Sequence, residues 1–129
     1  MSYHFSKTVG LPFDKAVAAT TAALKNHGFG VLTQIDVKQT LNDKIGVDFR
    51  PYLILGACNP KLAYEALNLE DKIGTMLPCN VVVQQRADGR VDVSAVDPVA
   101  SMSAIENPKL GAVAGKVREL LKQVVAEIA

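Results

Sequence analysis

The first part of the chain changes from a strand pattern to a helix pattern and back. Residues 3–9 alternate apolar with polar side chains, which predicts a first strand. Pro12 opens a stretch with apolar residues at helical spacing, and Gly28 is a typical residue at the end of such a helix. A second strand is predicted over 29–37. Its alternation places four side chains on one face: Phe29, Val31, Thr33 and Ile35.

The middle of the chain combines a polar segment with the most apolar one. Residues 36–45 predict a short polar helix or turn that Gly46 ends. Residues 51–58 are apolar on both faces, which is typical of a central strand. Pro51 stands at the first residue of that strand, where the missing N–H does little harm.

A helix and a loop are predicted to follow the third strand. Asn59 is a favoured N-cap residue, and Pro60 suits the first helical turn. The helix is predicted to reach about Leu69. Residues 74–78 are then predicted as an extended loop, and residues 79–86 as a fourth strand.

The next strands are joined by a short connection. Asp88 and Gly89 favour a type I′ turn, because both of its central residues need positive φ angles. A fifth strand is predicted over 90–96. The short connection requires strands four and five to be antiparallel.

The C-terminal part is helical. Asp97-Pro98 predicts a short helix, and Asn107-Pro108 opens a long one with a wide apolar stripe. The stripe contains Leu110, Val113, Ala114, Val117, Leu120, Leu121, Val124, Val125 and Ile128.

These elements predict one α+β domain over residues 1–129, with a curved antiparallel sheet of about five strands and helices packed on one face. The other face of the sheet is then left without helices packed against it. Not all of Leu53, Leu55 and Val82 can point into one core, and exposed apolar surface of this kind is typical of interfaces. We therefore expect a homodimer, since two-fold pairing is the commonest solution.

Composition excludes several classes of function. The net charge is +1 without a basic cluster, so we expect no nucleic-acid partner. No apolar run reaches the roughly 20 residues that span a bilayer, and the start of the chain has no signal-peptide pattern. We expect no membrane partner, no cofactor and no metal. Two cysteines make no disulfide framework and suit a reducing compartment, so we expect a cytoplasmic protein.

Three segments together resemble the domain-of-unknown-function 302 family. They are Gly46-Val47-Asp48-Phe49, the run from Tyr52 to Pro60 that contains Ala57-Cys58-Asn59-Pro60, and Leu77-Pro78-Cys79-Asn80-Val81. The resemblance extends from the first strand through Pro98. It implies a fold similar to one half of the TATA-binding protein, a dimer, and no established activity. It assigns no catalytic residue.

The cysteines are the first candidate ligand or thiol site. Cys58 ends the third strand and Cys79 begins the fourth, so antiparallel pairing would bring both to one end of the sheet. Asn59, Asn80 and Pro78 are their neighbours in the sequence. Cys58 also precedes a helix N-terminus, which lowers the pKa of a thiol. The alternative is structural: a free cysteine behaves as a small buried apolar residue.

Other polar residues give weaker candidates. Lys44 and Asp48 could bind an anion or act as acid and base, or they could form an ordinary surface ion pair. His4 lies on the polar face of the first strand and His27 in the last turn of the first helix. Neither histidine has a partner at metal-ligand spacing.

The function is therefore open between three classes. The first hypothesis is a small-ligand-binding or stress-related homodimeric module without a catalytic constellation. The alternatives are a thiol-dependent enzyme or sulfur carrier using Cys58 and Cys79, and a protein-interaction adaptor. Replacing Cys58 by Ser should inactivate a thiol enzyme and leave a binding module intact.

Overall fold

The structure, a computed structural model, describes residues 2–129. Its strands are β1 (His4–Val9), β2 (Gly30–Asp36), β3 (Tyr52–Cys58), β4 (Cys79–Gln85) and β5 (Val91–Val96). Its α-helices are α1 (Phe13–Asn26), α2 (Val37–Ile45), α3 (Pro60–Leu69), α4 (Pro98–Ser101) and α5 (Pro108–Glu127). The expected α+β fold class and the order of the elements are confirmed. None of the helices within residues 2–129 is long and apolar enough to cross a membrane.

The five strands form one sheet in the order β1-β5-β4-β3-β2, and all neighbours are antiparallel. β1 and β2 are the edge strands. α1 and α5 pack together on one face and bury the inward side chains of the strands. No helix of the described chain covers most of the other face, so the strand residues that alternate away from the core form an open surface.

Three helices begin as the sequence predicts. Asn59, Asp97 and Asn107 are N-caps, and each is followed by Pro at the first helical position. Their side-chain oxygens accept hydrogen bonds from backbone N–H groups of the first turn, at 3.0–3.4 Å. The caps satisfy donors that would otherwise have no partner inside the helix.

The predicted face of β2 is wrong. Val31 lies opposite Ala57, but Thr33 lies opposite Gly56, so the strand contains a β-bulge at Leu32. An extra residue reverses the alternation. Val31 therefore faces the helices, whereas Thr33 and Ile35 face the open surface.

The hairpin turn also differs from the prediction. Among the described residues only glycines have positive φ, so Asp88 does not adopt the angle that a type I′ turn requires. The backbone N–H of Arg86 donates to the carbonyl of Arg90 at 2.7 Å. The N–H of Gly89 donates to the carbonyl of Arg86 at 2.9 Å. The connection is a three-residue loop with Gly89 at φ +87°, which is the next commonest hairpin solution.

The loop before β4 is partly helical. Asp71–Met76 forms a 3₁₀ helix where an extended segment was predicted to begin at residue 74. Ile73 is completely buried in a second apolar cluster together with Met102 and Leu110. Packing of this one apolar side chain against α5 explains the tighter turn, which local sequence preference does not indicate.

Candidate functional site

The two cysteines lie at the same end of the sheet. β3 and β4 are antiparallel neighbours, and Cys79 pairs with Ala57, the residue before Cys58. The predicted return of the chain after α3 is therefore confirmed. The register offsets the two cysteines by one residue, and both border the same small cavity. Both thiols are free.

The cavity beside the cysteines is small and apolar. Its volume is about 30 Å³, room for little more than one or two water molecules. Cys58, Asn59, Pro78 and Cys79 border it together with apolar side chains of α3 and α5. It cannot hold a substrate or a small organic ligand without opening.

The thiol of Cys79 is poorly suited to nucleophilic chemistry. Burial raises its pKa from the ordinary value of 9.0 to about 11, and the neighbouring Cys58 adds to the increase. The thiolate is the reactive species. At neutral pH Cys79 is therefore a protonated, buried thiol, which matches the structural alternative for this residue.

The raised pKa predicts a loss of stability in alkaline solution. Above about pH 9 the unfolded chain releases the Cys79 proton while the folded chain keeps it, so the free energy of unfolding falls with increasing pH until about pH 11. We expect this residue to contribute a loss of about 2–3 kcal/mol across that window. Urea unfolding of the wild type and of Cys79→Ala at pH 8 and pH 10.5 measures it. Equal pH slopes in both proteins would contradict the assignment.

Asn59 and Asn80 have different positions. Asn59 borders the cavity, where its side chain caps α3. Asn80 pairs with Gly56 and is exposed on the open face of the sheet. Pro78 extends to that face as well, since its ring lies against Gly56. Of the three neighbours in the sequence, Asn59 and Pro78 border the cysteine cavity, whereas Asn80 does not.

Lys44 and Asp48 are remote from the cysteines and are not paired with each other. The side chain of Asp48 is 91% exposed and accepts a 2.9 Å hydrogen bond from Lys38 Nζ. That contact lowers the pKa of the Asp48 carboxyl group, so it is ionised at neutral pH. Lys44 is exposed in the last turn of α2. The arrangement is that of a surface ion pair, with Lys38 as the partner.

The open face of the sheet carries a much larger depression. A groove of about 540 Å³ lies across β1, β5, β4 and the start of β3. Its lining consists of Tyr3, His4, Ser6, Tyr52, Asn80, Val82, Gln84, Asp92, Ser94, Ala95 and Val96. Most of these side chains are hydrogen-bonding groups, and the volume lies within the usual range for small-molecule sites.

Side chains in the groove are connected by hydrogen bonds. His4 Nδ1 lies 2.6 Å from Ser6 Oγ, which lies 2.7 Å from Ser94 Oγ. Nearby, Thr8 donates to Asp92 at 2.7 Å. These bonds fix the positions of several donors and acceptors on rigid strands.

The rim at β3 and β4 is also fixed. Arg50 Nε donates to Gln84 Oε1 at 3.0 Å, and its guanidinium carbon lies 5.5 Å from the centre of the Tyr52 ring. In a second arginine, Arg86, the Nη1 atom lies 3.5 Å from Oδ2 of Asp92. Both guanidinium groups are therefore engaged by neighbouring side chains of the protein.

The open face changes character across the sheet. In one row of the register Ser6 lies opposite Ser94, Ser94 opposite Val82, and Val82 opposite Ile54, which pairs with Ile35 at the β2 edge. In this row the residues of β1 and β5 are polar, and those of β4, β3 and β2 are apolar.

Most residues of the groove were not predicted as a site. Of the predicted site residues, Asn80 alone lines the groove. The sequence places His4 on the polar face of the first strand but does not assign it to a site. The sequence signal for this site is the polar face that the alternation of residues gives to the first and fifth strands. The sequence does not show that these two strands are neighbours.

Comparisons with known proteins agree on the family. The family model described as Domain of unknown function DUF302 matches residues 5–128. No curated protein matches the chain. The crystal structure of an uncharacterized conserved protein DUF302 from Bacillus stearothermophilus is similar to this chain, with a TM-score of 0.93 and 29% sequence identity over 100% of both chains. The chain therefore belongs to the DUF302 family.

Proposed function

We propose that this protein is a small-ligand-binding module whose ligand lies in the groove on the open face of the sheet. The observation that carries the proposal is the hydrogen-bonded series His4, Ser6 and Ser94 on the wall of a groove of about 540 Å³. Polar groups held at fixed positions around a concave surface are the usual features of a ligand site.

The lining supports a neutral ligand. Within the described chain, no Lys or Arg lines the groove, and its one carboxylate, Asp92, is already bonded to Thr8 and close to Arg86. Hydroxyl, amide and imidazole groups remain to donate and accept, and Tyr3 and Tyr52 offer ring surfaces. A neutral polar compound with a ring fits this chemistry. Nucleic acid does not, because its phosphates require a basic surface.

One larger depression is less suitable. It is shallow, has a volume of about 730 Å³ between α3 and α5, and is bordered by Lys61, Glu65, Lys116 and Glu119. Such long charged side chains lose much rotamer entropy when a ligand fixes them. The groove side chains are shorter and already fixed by hydrogen bonds, so ordering them costs less.

The thiol alternative rests on one favourable observation. Cys58 is partly exposed at the end of β3, beside the N-terminus of α3. A resolving role for Cys79 is disfavoured by its burial and its raised pKa. The free state of both thiols supports a cytoplasmic location as part of the proposal.

Chemical-shift mapping tests the ligand site. The ¹⁵N-labelled protein is titrated with the low-molecular-weight fraction of its host cells, and we expect the largest shifts at His4, Ser6, Asn80 and Ser94. Ser94→Leu should weaken binding about tenfold or more, because it removes a hydrogen-bonding group and fills the groove. Ser103→Leu, the same change at an exposed serine outside the groove, should bind like the wild type. Shifts confined to the cysteine end would contradict the proposal.

A further inference from the structure

The small cavity at the end of the sheet is bordered by three residues that carry sulfur. Cys58 and Cys79 come from β3 and β4, and Met102 directly follows α4. Cys79 and Met102 are buried, whereas Cys58 is partly exposed. Because the cavity measures only about 30 Å³, these residues surround a space of roughly one water molecule. The sequence does not indicate this group, since Met102 lies far along the chain from both cysteines and only the fold brings it to them.

The chemistry of this lining suits a soft metal ion. Thiolate and thioether sulfur are the ligands that select Cu(I). Structural zinc sites instead use four ligands, drawn from Cys, His and carboxylate side chains. Within residues 2–129, no His, Asp or Glu borders the cavity. The same residues contain no group of three or more His, Cys, Asp or Glu side chains that could hold a metal ion.

We propose that Cys58, Cys79 and Met102 form a three-sulfur binding site for Cu(I). On binding, each thiol releases its proton to solvent and forms a sulfur–copper bond, and the thioether donates a lone pair. No electron is transferred, so the step needs neither an oxidant nor a reductant. A coordinated metal ion deprotonates its thiol ligands. The protonated state of Cys79 in the metal-free protein therefore does not prevent binding.

The surroundings of the site agree with the charge of the complex. Two thiolates and one Cu(I) leave one net negative charge, and the N-terminus of the ten-residue helix α3 follows Cys58 directly. The positive end of a helix dipole stabilises an anion there. The side-chain oxygen of Asn59 is engaged by the N–H of Leu62, which leaves sulfur as the available ligand type.

An ion can enter this site from solvent. Cys58 is partly exposed, and Met102 also borders an open depression of about 440 Å³ beside the start of α5. None of the three sulfur-bearing residues lines the groove on the open face of the sheet. The inference therefore does not depend on the proposed ligand of that groove.

Anaerobic titration with Cu(I) alone, in competition with a coloured Cu(I) chelator, tests the site. We expect the wild type to withdraw one Cu(I) per chain from the chelator. X-ray absorption at the copper edge should then show three sulfur ligands. Cys58→Ser and Cys79→Ala should each weaken binding more than about 100-fold, because even the loss of a residue that only supports a metal ligand weakens binding roughly 10–100-fold.

Met102→Leu separates the three-sulfur site from a pair of thiols. The exchange nearly conserves volume, so the variant should fold. It should bind Cu(I) about tenfold more weakly and show two sulfur ligands. The matched control is Met76→Leu, at a methionine that is 42% exposed and does not border the cavity. This control should bind like the wild type.

Three results would overturn the inference. The first is a wild type that does not compete with the chelator. The second is a Met102→Leu protein with the affinity and the number of sulfur ligands of the wild type. The third is a folded Cys79→Ala protein that binds as tightly as the wild type, because the exposed thiol of Cys58 alone would then hold the copper. Circular dichroism of each variant shows whether it is folded, and Met102→Leu decides the question if Cys79→Ala is not.

Discussion

Leu121→Ala should reduce the free energy of unfolding by about 2–5 kcal/mol. Leu121 is 0% exposed in the core between α5 and the sheet, and it is surrounded there by side chains of the strands and of α1. Shortening its isobutyl side chain to a methyl group leaves a cavity that the rigid sheet cannot close. Urea unfolding followed by circular dichroism measures the change.

Leu120 is the internal control. It precedes Leu121 on α5 but is only partly buried at the edge of the same core. Leu120→Ala should therefore reduce the free energy of unfolding clearly less than Leu121→Ala does. Equal losses at the two positions would mean that α5 packs with a different face than the structure shows.

Gly56→Ala should be the most damaging exchange of a single glycine for alanine, with a cost of about 1–3 kcal/mol. A Cβ atom at Gly56 would overlap Thr33 Oγ1 and would lie 2.8 Å from Cγ of Pro78. The Thr33 hydroxyl can rotate away, but the proline ring cannot. β3 would therefore have to shift between its neighbours β2 and β4.

Gly30→Ala is the matched control for that prediction. Gly30 lies in the neighbouring strand β2, and a Cβ there would have nothing within 4 Å. Its effect on the free energy of unfolding should stay within about 0.5 kcal/mol. Thermal unfolding of both variants beside the wild type makes the comparison. A Gly56→Ala protein as stable as Gly30→Ala would contradict the close contact of Thr33 and Pro78.

Local patterns predict the elements of this chain well. The alternation of β4 and β5, the apolar stripe of α5, and the Asn-Pro and Asp-Pro caps are short-range signals, and the structure confirms each of them. These features depend on residues close together in the sequence. The antiparallel pairing of β3 with β4, predicted because the five strands fit an antiparallel meander, is confirmed as well.

The predictions are wrong where packing between residues distant in the sequence determines the local structure. The bulge at Leu32 reverses the face of Thr33, and nothing in the sequence of β2 marks it. The 3₁₀ helix depends on Ile73 packing in a cluster with Leu110, far along the chain. Sequence patterns of one segment do not contain these contacts.

The candidate site shows the same limit. Cys58 and Cys79 are candidates from the sequence alone, because cysteines are rare and chemically distinctive. The cavity that they border has a volume of about 30 Å³ and is too small for an organic ligand. Ser6 and Ser94 are common residues 88 positions apart, and only the β1–β5 pairing brings their hydroxyl groups within 2.7 Å.

Native mass spectrometry of the protein purified from its own host tests the central claim most directly. The wild type should carry a non-covalent small molecule that denaturation releases. Cys58→Ser should carry the same molecule, and Ser94→Leu should lack it. A molecule retained by Ser94→Leu but lost from Cys58→Ser would place the ligand at the cysteines instead, and no bound molecule on any of the three proteins would contradict the ligand-binding function.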